Sequence, residues 1–242
     1  MLYILFIILL FFNSICWADY SFGVDNSVST GKVIIDGVDI TEPDNISLSS
    51  IRGNETLEKQ QRKISEFTNI DSSGAYDIIF TQDSPSLEVE ADQNLLSLIN
   101  TVQKGDTIHI TTNQSFSSSH PIVIRLSSPQ LSQAIFRGSG DIVLKSIHGQ
   151  KLKINFYGAG DLNVSGQVAS FFLNVEGTGD INARHLVADN VTINSTGSAD
   201  INVTAHKMLT IRQTGIGDIV YFGKPTTINT HVTGFGDIDA GD

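Results

Sequence analysis

The pentapeptide GSGDI at 138–142 returns as GAGDL at 158–162, GTGDI at 177–181, GSADI at 197–201, GIGDI at 215–219 and GFGDI at 234–238. The copies stand 18 to 20 residues apart. A motif that recurs at a fixed period speaks to the fold before it speaks to chemistry. Six residues before the first glycine of a copy stand Leu152, Phe171, Val191, Leu209 and Ile228. Four before stand Ile154, Leu173, Ile193 and Ile211, with Thr230 as the exception. Polar residues follow at once: Asn155, Asn174, Asn194, Arg212 and His231. After the aspartate the alternation resumes, with Ile142, Leu162, Ile181, Ile201, Ile219 and Ile238 on the apolar side. Two residues further along the same face lie Leu144, Val164, Ala183, Val203, Tyr221 and Ala240. Each unit therefore reads strand, tight turn, strand, with a period of two and one apolar face.

A meander of hairpins reverses direction at every turn, so it does not return one motif to one edge every 19 residues. A solenoid does so by construction, each coil stacking on the last at about 4.8 Å. The pattern predicts an all-β protein, a parallel β-solenoid or β-helix with coils of about 19 residues and Ile, Leu and Val columns inside. Upstream, Tyr76–Thr81, Leu87–Glu90, Thr107–Thr111 and Ile122–Leu126 read as further short strands, and 113–121 as a polar loop. One short helix is expected in the N-terminal half, Gln93–Asn100, capped by Asp92. Lys32–Ile35 and Val38–Ile40 are strand-like, and Glu55–Lys63 reads as a charged linker or frayed helix.

The chain has 242 residues, and its first eighteen carry no charge around an apolar run, Leu2–Phe12. That run is too short to span a bilayer as a helix, which takes about 20 residues, and it suits a secretory signal peptide. Cys16 and Ala18 place small residues before a cut at Asp19. Lipid attachment at Cys16 is the alternative, against which Ile15 stands. The expected organisation is a signal peptide at 1–18, a partly ordered extension at 19–63, and a solenoid domain at 64–242 with its repeats from 138. After cleavage the chain would be exported to the periplasm, outer envelope or medium and would not be integral to a membrane. The net charge is −11, from 15 basic and 26 acidic residues, with no basic cluster. That excludes the phosphate-neutralising footprint of a nucleic-acid binder.

The order of segments from FTNIDSSGAYDIIFTQ (67–82) through VEADQNLLSLINTVQKGDTIHI (89–110) to the G-x-G-D-[IL] turns resembles the "putative auto-transporter adhesin, head GIN domain" family. The resemblance covers Ile64–Asp242. It implies a secreted or envelope-associated β-solenoid with an adhesin-like binding surface. The six residues after Gly236 leave no room for an autotransporter's membrane barrel, so the likeness is expected to be to the head alone.

Three sets of residues carry candidate chemistry. Asp141, Asp161, Asp180, Asp200, Asp218 and Asp237 form a column of turn carboxylates. Calcium is held by several carboxylate and carbonyl oxygens. The alternative is that each carboxylate accepts backbone N–H groups of the turn while glycine supplies positive φ. The structural role is preferred, so no metal or other cofactor is expected. Asn155, Asn174 and Asn194 before the turn, and Asn163, Asn182 and Asn202 after it, form two amide rows. Such rows either bond along the stack or meet glycan hydroxyls. His148, His185 and His206 each follow a post-turn strand and are candidates to share one corner.

No nucleophile elbow or paired-acid motif is present. The expected function is non-catalytic: an adhesin-like surface for a glycan or a surface protein. The alternative is a polysaccharide lyase or hydrolase on a β-helix, which would show one irregular coil with a long insertion. Self-association through the solenoid ends is the further partner expectation.

Overall fold

The computed structural model describes Ile34–Ile35, Val38–Asp39 and residues 51–241. The expected signal peptide, Cys16, and most of 19–50 lie outside the described residues. The chain divides into two units, residues 1–47 and 48–242. In the first, β1 (Ile34–Ile35) and β2 (Val38–Asp39) pair antiparallel.

The second unit is all β. Its strands are β3 (Ile51–Arg52), β4 (Leu57–Gln61), β5 (Asn69–Ala75), β6 (Asp77–Gln82), β7 (Ser86–Asp92), β8 (Ile99–Lys104), β9 (Thr107–Thr112), β10 (Phe116–Ser117), β11 (Val123–Ser128) and β12 (Gln133–Ser139). The array follows as β13 (Ile142–Phe156), β14 (Leu162–Val175), β15 (Thr178–Ser195), β16 (Ser198–Gln213), β17 (Ile219–Phe222), β18 (Thr227–Val232) and β19 (Ile238–Ala240). The parallel solenoid is borne out, with about 5 turns.

Register follows the repeat. On the strand before the corner, Ile70, Ala134, Ile154, Leu173, Ile193 and Ile211 stack in one column. All six are buried. On the strand after it, Ile78, Ile142, Leu162, Ile181, Ile201, Ile219 and Ile238 do the same. Every coil thus adds one apolar layer to a continuous core, at roughly 1.5–3 kcal/mol for each large side chain buried.

The first coil departs from the others. β5 pairs with β12 and β6 with β13, so 69–82 is itself a coil. The chain then leaves the stack at Asp83 and rejoins it at Gln133. Within this excursion β11 pairs parallel to β6 and antiparallel to β7, and β4, from before the first coil, pairs antiparallel to β7. The β8–β9 hairpin sits on β5.

Two expectations are corrected here. The helix at Gln93–Asn100 is not found: Leu96–Leu98 form one 3₁₀ turn, and Ile99 is already extended at φ −87°, ψ 109°. The Asp92 side chain makes no cap, because Ser118 and His120 hold its carboxylate. Glu55–Lys63 is not a linker or helix. Its centre is β4, whose exposed polar side chains suit an edge strand. In 113–121, Phe116–Ser117 form the short strand β10 against β3.

Candidate functional site

The corner carboxylates come first, because their backbone decides what they can do. Gly160 has φ +135°, and a Cβ there would lie 2.3 Å from the Gly140 carbonyl oxygen in the preceding coil. Only glycine permits both the angle and the approach. With the strands interrupted at this bend, the next aspartate's N–H turns to a side chain. Asp161 N–H donates to Asp141 Oδ1 at 3.1 Å, and Asp180 N–H to Asp161 Oδ1 at 3.0 Å. Asp218 and Asp237 donate in the same way to Asp200 and Asp218, at 2.8 and 2.9 Å. Where Ala199 replaces the second glycine, ordinary pairing runs through from Thr178↔Ser198 to Ala183↔Val203 instead.

The column has a seventh member that the repeat did not reveal. Asp141 N–H donates to Asp77 Oδ1 at 3.0 Å, and Gly74 pairs with Gly138. GAYDI (74–78) is therefore the first corner, with Tyr76 in place of the second glycine. Among the described residues no group of three or more His, Cys, Asp or Glu side chains is arranged to hold a metal ion.

The two asparagine rows differ. Asn174 Nδ2 donates to Asn155 Oδ1 at 2.7 Å, and Asn194 Nδ2 to Asn174 Oδ1 at 2.8 Å, so the first row is bonded along its length. Asn155 at its base is buried. In the second row, Asn163 and Asn182 are exposed and Asn202 half-buried. Among the described residues no side-chain hydrogen bond is seen to join these three, and Asn182 Oδ1 accepts a weak 3.3 Å contact from Arg184 N–H. Two residues before each stands a corner aspartate, Asp161, Asp180 and Asp200, all exposed. The result is a strip of carboxylates and amides across three coils, facing solvent.

The excursion from the first coil brings together residues with no shared period. Asp92, at the end of β7, is fully buried. One oxygen accepts from Ser118 Oγ at 2.7 Å and the other lies 3.0 Å from His120 Nδ1. The Ser118 hydroxyl first, and His120 after it, hold this carboxyl below the usual range despite burial. His120 is partly exposed and lines a cavity of about 410 Å³ with Tyr76, Asp77, Phe116, Pro121 and Ser139. Burial pushes the Tyr76 phenol up to about 12, opposed by Thr112. A buried carboxylate orienting a histidine at a cavity wall is an arrangement that can bind a hydroxyl or move a proton. The signal for it in sequence was slight: Asp92 followed by His120 in a polar loop.

At the remaining corner, His148 and His206 line one groove of about 270 Å³ with Asp189, Gln150 and Gln167, while His185 does not line it. Lys207 pairs with Asp189 at 2.8 Å. Among the described residues no helix is long and apolar enough to cross a membrane.

These features define an all-β protein of the parallel solenoid class, with amide-bonded acidic corners and one excursion. The model of the family "Putative auto-transporter adhesin, head GIN domain" matches residues 66–225, and the chain belongs to that family. In the solved structures it is similar to a "putative adhesin" from Bacteroides fragilis NCTC 9343, with 24% identity and a TM-score of 0.64, over 79% of this chain and 100% of that one. It is also similar to a "putative lipid binding protein" from Parabacteroides distasonis ATCC 8503, with 24% identity and a TM-score of 0.51, over 80% of this chain and 100% of that one. These likenesses establish the shared fold. No curated protein matches the chain.

Proposed function

We propose that the protein is an exported envelope or secreted protein that binds a glycan on the rigid face of its solenoid, without catalysis. The observation that carries this reading is the strip of Asp161, Asp180 and Asp200 beside Asn163, Asn182 and Asn202. Each coil offers a carboxylate that accepts from a hydroxyl and an amide that both donates and accepts. The acidic balance of the chain favours a neutral ligand over an anionic one. The adhesin description of the family agrees with such a role.

A second reading has its own observation. The alternative, a carbohydrate-active enzyme, is favoured by the Asp92–His120 pair at the cavity wall, placed by the one long excursion from the coils. One experiment separates the two. The purified protein is applied to a glycan array, and any glycan bound is incubated with it and assayed for cleavage. Binding without cleavage, weakened tenfold or more by the combined N163A, N182A and N202A substitutions, supports the surface reading. Cleavage abolished by H120A establishes the enzyme and overturns it.

A further inference from the structure

We propose that the last coil is the interface of a symmetric dimer, in which β18 pairs antiparallel with β18 of a second copy about an axis through Thr230. The inference begins from how the two ends of the stack are finished. At the N-terminal end the core is closed: Leu95, Leu96 and Ile99 are buried. Arg62 lies across this end and donates to the carbonyls of Leu96 at 2.7 Å and Ile99 at 2.6 Å. The edge strands here carry charge, Glu58 and Lys59 in β4 and Lys104 in β8. Charged edges, lysine above all, discourage pairing with another chain.

In the last coil β18 has none of these devices among the described residues, the coil's carboxylates Asp237 and Asp239 lying outside that strand. β18 pairs with β16 on one side only, which leaves its other row of N–H and C=O groups unpaired within the sheet. Its sequence, Thr-Ile-Asn-Thr-His-Val, holds no lysine, arginine or carboxylate. Ile228 stacks on Leu209 and Val232 on Gln213, so both continue interior columns. Yet they are 43% and 39% exposed, with no further layer over them among the described residues. Phe235 in the same coil is 79% exposed.

The occupant follows from charge and register. A partner must offer an unprotected strand edge and must approach an acidic molecule at an uncharged place, and β18 of a second copy meets both conditions. In an antiparallel pair, residues directly opposite one another point to the same face. With the axis on Thr230, inward Ile228 meets the partner's inward Val232, outward Asn229 meets the partner's outward His231, and threonine meets threonine. A register shifted by one residue would set inward against outward positions and expose the apolar set. This is the isologous geometry of a twofold dimer.

The test is solution mass together with a site-specific cross-link. Light scattering after gel filtration, at on the order of 100 μM where a specific interface is well populated, should give twice the chain mass, and T230K should reduce it to one. T230C in a C16S background should form a disulfide-linked dimer under mild oxidation, since opposed Cβ atoms lie about 5 Å apart. S139C, at an exposed corner, should not. T230K needs only to retain the β circular-dichroism spectrum for the comparison to hold, and N229E on the outward face of the same strand serves if it does not. A monomer at that concentration, a dimer indifferent to T230K and N229E, or equal cross-linking through S139C would overturn the proposal.

Discussion

The first coil and the later ones turn the same corner with different chemistry. In the array, glycine at φ +135° lets one coil pass close over the next, as at Gly160. In the first coil Tyr76 occupies that place, and its ring packs over Gly74, where a Cβ would meet it at 2.4 Å. The array repeats because every layer has the layer below as its template. Beneath the first coil lie β9 and β11, separate strands of its own excursion rather than a repeating coil, and that excursion closes the core and builds the Asp92–His120 cavity. Regularity supplies a rigid surface; the interruption supplies the irregular arrangement of groups.

The contrast can be broken at several points, beginning where the backbone is tightest. G160V should cost about 4 kcal/mol, combining positive-φ strain with overlap against the Gly140 carbonyl. A199G, at the corner where a Cβ is already accommodated, should change stability by about 1 kcal/mol or less. Urea denaturation of the two variants checks the difference; a well-tolerated G160V would mean that the coils can separate at the corner.

In the excursion, D92N should cost about 2 kcal/mol by weakening a buried pair of hydrogen bonds. Asp92 also sets a pH dependence. Its folded carboxyl lies below the usual value, so its contribution is present above the unfolded pKa, about 3.9. That contribution is lost as pH falls through the folded value. Wild type should therefore lose stability below about pH 4 more steeply than D92N, as followed by melting temperature against pH. A smaller effect is expected at the exposed corner: D161A should cost about 1 kcal/mol, the worth of the bond from Asp180 N–H. D180A, at the corner where strand pairing runs through, should cost less than D161A, and an equal loss would argue against the amide role.

What was legible in the sequence was whatever had a period. Leu173, Ile193 and Ile211 announced the interior column, and the recurring G-x-G-D announced the bend, because each coil repeats its neighbour's environment. Asp77 was missed because Tyr76 breaks the motif and 64 positions separate it from Asp141. Asp92 resembled a helix cap locally, but its partners Ser118 and His120 are more than twenty residues away, and no local pattern marks such a pairing. Likewise Leu57–Gln61 is polar after its first residue and exposed throughout, as an edge strand can be, so composition suggested a linker or a frayed helix. The two asparagine rows looked alike in sequence; only the backbone distinguishes the bonded row from the open one.

The central claim is that backbone amides, not a cation, hold the acidic corners. Melting temperature measured with millimolar Ca²⁺ and then with EDTA tests it most directly. With Asp141, Asp161, Asp200 and Asp218 each accepting a backbone N–H from the next coil, the two melting temperatures should agree. A rise in Ca²⁺ that EDTA reverses, and that D161A and D218A diminish, would contradict it.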